Sequence, residues 1–311
     1  MPSVLGIVLT VIVATAVGVL AERRGDGGAQ RLRHVLMRAM LWVLVPFVAY
    51  VNIARAHLSL DAILALAIAF GSVMTAGAIM RLLGRGPLRL REPGVGAAIV
   101  CSIQGNTSYF GFPLVAALFS RAQFSQAVAY DGLVSLPVFV LISYSVGARF
   151  GRAGDAGIRE QLRTAIFRNP VLLAVIAALL VPRAWAPSVL VEPAHLAVLA
   201  LLPLGFFVVG VTLGDEAQDG TLRVPPPLTP PVAAVAVLKM AFVPLVLLLA
   251  GLALDVPAPF YVMAAMPVGV NTVLVGHVTG LDLRLTSASI AWTTSIALAA
   301  TAALTLARAL S

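Results

Sequence analysis

The residues of this chain that could do chemistry are few, and the polar ones fall in two matched places. Asn106-Thr107-x-x-x-Gly111 lies within Gly105-Asn-Thr-Ser-Tyr-Phe-Gly-Phe-Pro-Leu114, and Asn271-Thr272-x-x-x-Gly276 follows Met266-Pro-Val-Gly-Val. Amide and alcohol side chains bind a ligand through hydrogen bonds; they do not titrate near neutral pH as a general acid or base must. Two charges stand in otherwise apolar sequence, Lys239 in Val-Leu-Lys-Met and Asp131 in Ala-Tyr-Asp-Gly. A lysine there can attract an anionic substrate or extend its ammonium to the headgroups. An aspartate can carry a coupling proton, pair with a cation or lie just under the outer headgroups.

Other chemistries find no residues to perform them. The four histidines, His34, His57, His195 and His277, lack the i, i+4 spacing that puts two imidazoles on one metal, and the single cysteine, Cys101, permits neither an internal disulfide nor a thiolate cluster. No metal site is expected, and no cofactor. Lys239 is the one lysine and follows no glycine-rich turn, so there is no phosphate-binding loop for ATP hydrolysis. No H-E-x-x-H, G-x-S-x-G or G-x-G-x-x-G occurs, and the chain is not expected to be an enzyme. A net charge of +8 could suggest nucleic acid, but the arginines lie in short loops between apolar runs, the pattern of headgroup contact and membrane topology.

The elements that must position these residues are membrane helices. Of the 311 residues 60% are hydrophobic and 11% charged, and the mean hydropathy is +1.00, too apolar for a soluble domain. A spanning helix needs about 20 apolar residues. Ten candidates lie near 3–20, 35–54, 60–82, 95–120, 124–147, 169–181, 194–213, 231–252, 258–279 and 285–307. The sixth is short unless it starts near Thr164. The first lacks a basic leader, so it is expected to remain as a helix and not to be a cleaved signal.

Arginine placement orients this array. Apart from Lys239, the 21 basic residues divide by alternate loops: Arg55, Arg121, Arg183 and Arg308 fall on one side and every other arginine on the opposite side. The positive-inside rule makes the rich side cytoplasmic, in an inner (cytoplasmic) membrane with both termini outside. The longest cytoplasmic loop then separates a first five-helix repeat, 1–149, from a second, 169–311, across a linker at 150–168. Five spans per half turn the second half upside down, the arithmetic of an inverted repeat common among secondary transporters. Val45-Pro46 in span two and Leu202-Pro203 in span seven echo each other, as do the two Asn-Thr motifs in spans four and nine.

Both asparagines reach the bilayer middle. At a rise of about 1.5 Å per residue, Asn106 lies roughly 16 Å into span four and Asn271 roughly 20 Å into span nine. Gly105 and Gly111 suggest unusual backbone angles, and Pro113 favours the first turn of a new helix, so span four reads as two half-helices unwound over about 104–112. Pro267, Gly269 and Asn271 suggest the same for span nine. Irregular backbone at membrane depth is tolerated where it is buried in protein or lines a watery cavity. A single such break is commonly a packing kink. Two at equivalent places point to a substrate site, with helix N-termini to receive a carboxylate and C-terminal carbonyls to hold a cation. Gln104, Asn106, Thr107, Tyr109, Pro113, Pro267, Asn271, Thr272 and Lys239 are the candidate substrate-binding residues, and Asp131 the coupling candidate. His277 is expected to be a hydrogen-bonded core histidine.

Gly-Asn-Thr-Ser-Tyr-Phe-Gly-Phe-Pro-Leu in span four, Leu-Lys-Met-Ala-Phe-Val-Pro-Leu in span eight and Met-Pro-Val-Gly-Val-Asn-Thr in span nine resemble the auxin efflux carrier family, which includes bacterial malonate transporters. The resemblance implies an all-α integral membrane fold of ten transmembrane helices in two inverted five-helix repeats. It implies crossed, interrupted helices four and nine, a scaffold and a transport unit, and elevator-like movement of small organic anions. Asn106, Pro113, Pro267 and Asn271 would frame the substrate site. The long cytoplasmic domain of some plant members is absent.

The expected function is therefore secondary transport of a small carboxylate across a lipid bilayer, with proton or sodium as possible coupling ion. A sodium- or proton-coupled bile-acid-symporter-like protein or cation/proton antiporter is the nearest alternative, and a ligand-binding receptor without transport the alternative of another class. Gly210-x-x-x-Gly214 allows close helix approach within a protomer or between the protomers of a homodimer.

Overall fold

The computed structural model of the protein describes residues 4–25, 27–56, 58–152, 169–218 and 226–310. Among them the regular structure is helical, interrupted by one isolated β-bridge. In chain order the helices are α1 Val4–Glu22, α2 Gly28–Ile53, α3 Leu60–Arg85, α4 Glu92–Ile103, α5 Thr107–Leu118 and α6 Arg121–Phe150. They continue with α7 Pro170–Leu180, α8 Ser188–Asp215, α9 Pro230–Ala250, α10 Ala258–Ala264, α11 Asn271–Thr279 and α12 Leu283–Leu310. Most of the segment expected to link two halves, including Thr164, Arg159 and Arg168, lies outside the described residues, as do His57 and Arg223.

The chain forms an α-helical membrane protein. Among the described residues five helices, α2, α3, α6, α8 and α9, are long and apolar enough to cross a membrane. The burial pattern of the protein is the reverse of a soluble protein's: Ile12, Leu179 and Leu248 stand exposed on helix faces while Asp131, Lys239 and Gln104 are buried. Lipid can cover the first group without cost, and the second can only be held by partners inside the protein. Helix α2 starts earlier than its apolar run, at Gly28. Its first turns carry Arg31, Arg33 and Arg38 on an amphipathic segment that a search for apolar residues passes over. Gln30 there donates to both Glu22 and Asp215, at 2.9 and 3.0 Å, and Arg33 pairs with Asp215 at 3.3 Å.

Proline shapes the helix interiors. Of the five wide π turns among the described residues, Met40–Leu44, Thr107–Gly111, Asp131–Ser135 and Leu238–Phe242 each begin six residues before a proline, Pro46, Pro113, Pro137 and Pro244 respectively, and Val138–Ser143 directly follows Pro137. A proline lacks the N–H for the carbonyl four residues back and its ring pushes on that carbonyl; a wide turn absorbs both effects without breaking the helix. Pro203, which the sequence pairs with Pro46, sits in continuous α-helix instead.

Helix α1 packs on α8 along its length, and α2 packs on α7 and α8. A Cβ on Gly18 would strike the Phe207 carbonyl and one on Gly210 the Thr15 carbonyl, so these backbones touch. Gly214 likewise lies against Glu22, and the Gly210-x-x-x-Gly214 pattern thus serves a contact within the chain. A second set, α3 to α6 with α9 to α12, packs around α4: α3, α6, α9 and α12 all contact it.

Candidate functional site

The breaks after α4 and α10 meet. Residues 104–106 and 265–270 leave the helical path, and Gly105 pairs with Val268 as an antiparallel bridge. Asn106 N–H donates to the Pro267 carbonyl at 2.7 Å, and Gly269 N–H to the Gln104 carbonyl at 3.1 Å. Each unwound segment thereby supplies the partners that the other lost on leaving its helix. Helix α12 supplies another: Val268 N–H donates to the Thr293 hydroxyl at 3.1 Å, while Thr272 Oγ1 donates to the Gly269 carbonyl at 2.7 Å. This is how non-helical backbone can persist away from water.

The glycines act by size here. Neither Gly105 nor Gly111 uses the positive φ that glycine permits. A Cβ on Gly269 would sit 2.9 Å from the Gly105 carbonyl oxygen, and one on Gly105 would sit 3.1 Å from Cε of Lys239. The unwound stretch is also shorter than 104–112, because helix resumes at Thr107 as a π turn and Pro113 lies inside its continuation, near the start of the regular α-helical part.

Beside the crossing lies a cavity of about 50 Å³, room for a few water molecules. Gln104, Asn106, Thr107, Tyr109, Asn271 and Asp131 line it, together with Ser108, Ser135 and Asn169, and Leu41, Val45 and Val171 close its far side from α2 and α7. Asp131 is the one charged group among the lining residues. It is 5% exposed, and its carboxylate accepts from the Thr107 hydroxyl and from the Ser108 hydroxyl at 3.0 Å. Gln104 Oε1 is buried at the same place and has no hydrogen-bond partner among the described residues. An acceptor left so in a protein interior calls for a donor from water or ligand.

Lys239 stands apart from this cavity. It is 2% exposed on the π turn of α9, and Nζ donates to the Ala264 carbonyl at 3.0 Å while its stem packs on Gly105. Among the described residues no carboxylate lies within ion-pair distance of it. Ala264 ends α10, so the ammonium meets the negative end of a half-helix, where a cation is favourable. Pro267 contributes its carbonyl to the crossing and Thr272 supports it from α11, while Pro113 lies buried in α5 and off the cavity lining. His277 is exposed, six residues beyond Asn271 on the outer face of α11, and is not a core histidine.

Ser135 and Asn169 are lining residues that sequence reading passed over. Ser135 sits four residues after Asp131 at the other end of the same π turn, which the Asp131-to-Pro137 spacing signals. Asn169 precedes Pro170 and caps α7, its Oδ1 accepting from Val171 and Leu172 N–H at 3.0 Å.

Comparison with known proteins bears on this geometry. Residues 156–305, which include the second break, match the model of a family described as membrane transport protein. An uncharacterized transporter of Methanocaldococcus jannaschii is 23% identical over 219 residues, which cover 68% of this chain and 69% of the relative. Over its second half the chain is thus similar to membrane transport proteins. The motif at 105–114 lies outside the family match, yet its backbone pairs with 267–269 inside it, so the two segments form one structural unit of the transporter.

Proposed function

We propose that this transporter is a secondary permease for a small mono- or dicarboxylate, carried through the cavity at the crossing with a proton on Asp131. The observation that carries the reading is the paired break beside a polar cavity, with α2 and α7 on one side and the crossing with α6 on the other. The first side belongs to the group of α1, α2, α7 and α8 and the second to the group around α4, and the two groups meet where α2 packs on α6 and α8 on α5. Sliding of one set against the other would turn the cavity from face to face, which is elevator-type alternating access, and ten spans in two inverted repeats would supply the symmetry for it. The membrane is read as the cytoplasmic one, with both termini outside.

Electrostatics favours the proton. A carboxylate ligand and an ionised Asp131 would repel at contact distance in surroundings of low polarity. Protonated, Asp131 becomes a hydrogen-bond donor to the same ligand. Anion and proton then travel together, and Lys239 of α9 serves the crossing as a fixed cation at the C-terminal end of α10.

A second reading has its own observation. The Asp131 carboxylate, Gln104 Oε1 and two hydroxyls offer oxygen ligands to sodium, so sodium could take the proton's place. Purified protein in liposomes, given labelled acetate or malonate under imposed pH, sodium or voltage gradients, tests both. Accumulation should follow the pH gradient and ignore sodium. Flux no higher than in empty vesicles with folded protein would refute carboxylate transport, and flux that follows sodium would replace the proton.

A further inference from the structure

A second cavity, of about 440 Å³, opens away from the crossing at the end of the molecule where α2 ends and α6 and α8 begin. Asn52, Arg55, Arg121, Gln123, Ser125 and Gln126 line it. The lining is donor-rich and carries no carboxylate. Two of the four arginines on the arginine-poor side of the membrane are gathered here.

Both arginines are held in place and both retain donors. Arg55 gives one N–H to the Ala186 carbonyl at 2.7 Å, and Arg121 pairs with Glu192 at 2.6 Å. A guanidinium has five N–H donors in a fork that fits a carboxylate, so one bond leaves each able to receive another. The Arg121–Glu192 pair is about half exposed, 52% and 56%, and such pairs yield to competing anions at small cost.

The same helices line both cavities. On α2, Leu41 and Val45 face the crossing cavity, while Asn52 near the end of the helix and Arg55 in the turn after it face the second one. On α6, Gln123 and Gln126 face the second cavity and Asp131 and Ser135 the first. The seam between α2 and α6 thus joins them over roughly 8–9 Å of helix rise, from Val51 to Val45 on α2 and from Gln126 to Asp131 on α6.

We propose that this cavity is an anion-binding vestibule, in which Arg55 and Arg121 seat the carboxylate of a small organic anion at the mouth of the α2–α6 seam. Glu192 is its built-in competitor for Arg121. That the seated anion goes on to the crossing rests on the proposed carboxylate transport; the binding does not.

The test uses the full chain in phosphatidylcholine nanodiscs, with acetate and malonate titrated calorimetrically. The background is Asn106→Ala/Asn271→Ala, which disables the crossing cavity, so that binding and transport fail separately. Arg55→Gln and Arg121→Gln should each weaken malonate by about fivefold, near the upper end for half-exposed charge pairs. Glu192→Gln, an exposed and conservative change, should tighten malonate by a similar factor, which a merely structural role for the pair would not do. Binding unchanged by Arg55→Gln and Glu192→Gln in folded protein overturns the proposal. So does a lipid answer: if, in nanodiscs doped with phosphatidylglycerol, the arginine variants lose that bound lipid but bind malonate as before, the cavity seats a headgroup phosphate. Vestibule binding with no carboxylate flux in the unmutated protein would retain the vestibule and refute the transport reading.

Discussion

Gly269→Ala puts the crossing itself under load. The added methyl would lie 2.9 Å from the Gly105 carbonyl oxygen, 3.2 Å from its carbon and 3.5 Å from Asn106 N, all backbone atoms that cannot rotate away. Ordinary contact for carbon begins near 3.5 Å, so the two segments must part by about 0.5 Å. The Gly269-to-Gln104 bond, now 3.1 Å, would then pass the usual hydrogen-bond limit, and the Asn106-to-Pro267 bond, now 2.7 Å, would become a long one. Overpacking costs about 1–3 kcal/mol, and a buried donor left unpaired costs about as much again. The variant should melt several degrees lower in a detergent thermal-shift assay and lose at least about tenfold of its carboxylate flux, the rate equivalent of 1.4 kcal/mol. Gly71→Ala is the control: it lies in α3 with open space around its Cβ, and should match the unmutated protein or gain slightly in stability. Unchanged melting and flux in Gly269→Ala would refute the idea that this close approach holds the site.

Asp131→Asn keeps the shape of the carboxyl and removes its proton chemistry; residual flux should run down the substrate gradient alone and stop responding to an imposed pH gradient, measured in proteoliposomes. Lys239→Met removes a buried ammonium bonded to one carbonyl, so the protein should fold with little or no loss of stability, and calorimetric malonate affinity should change by less than about twofold. A tenfold loss of affinity would instead make Lys239 a substrate ligand.

That Asn106 and Asn271 belong together was legible in the sequence, because rise per residue is constant and counting puts them at similar positions along their spans; they line one cavity. Direction around the helix axis was not. Each π turn adds a residue and rotates the rest of its helix by about 100°, so a face counted at 3.6 residues per turn is lost beyond Asp131 or Lys239. That is why Ser135 was missed and Lys239, at the right depth, stands outside the cavity with Ala264. The six-residue spacing of four of the π turns from a proline is written in the chain and would have flagged Asp131 and Thr107 together. The pairing of Gly105 with Val268 joins residues far apart in sequence, and no local pattern encodes it; glycine at both breaks marked only that something approaches closely. His277 went wrong for a plainer reason, since nothing near Asn271 says which face of a short half-helix meets lipid.

The most direct test of transport through the crossing is the flux of labelled malonate into proteoliposomes carrying the unmutated protein, Asn106→Ala or Asn271→Ala, under an imposed pH gradient. Gradient-driven uptake is expected for the unmutated protein, and near-background uptake for both variants at equal expression and melting temperature. Uptake at the unmutated rate in both variants would contradict the crossing as the route.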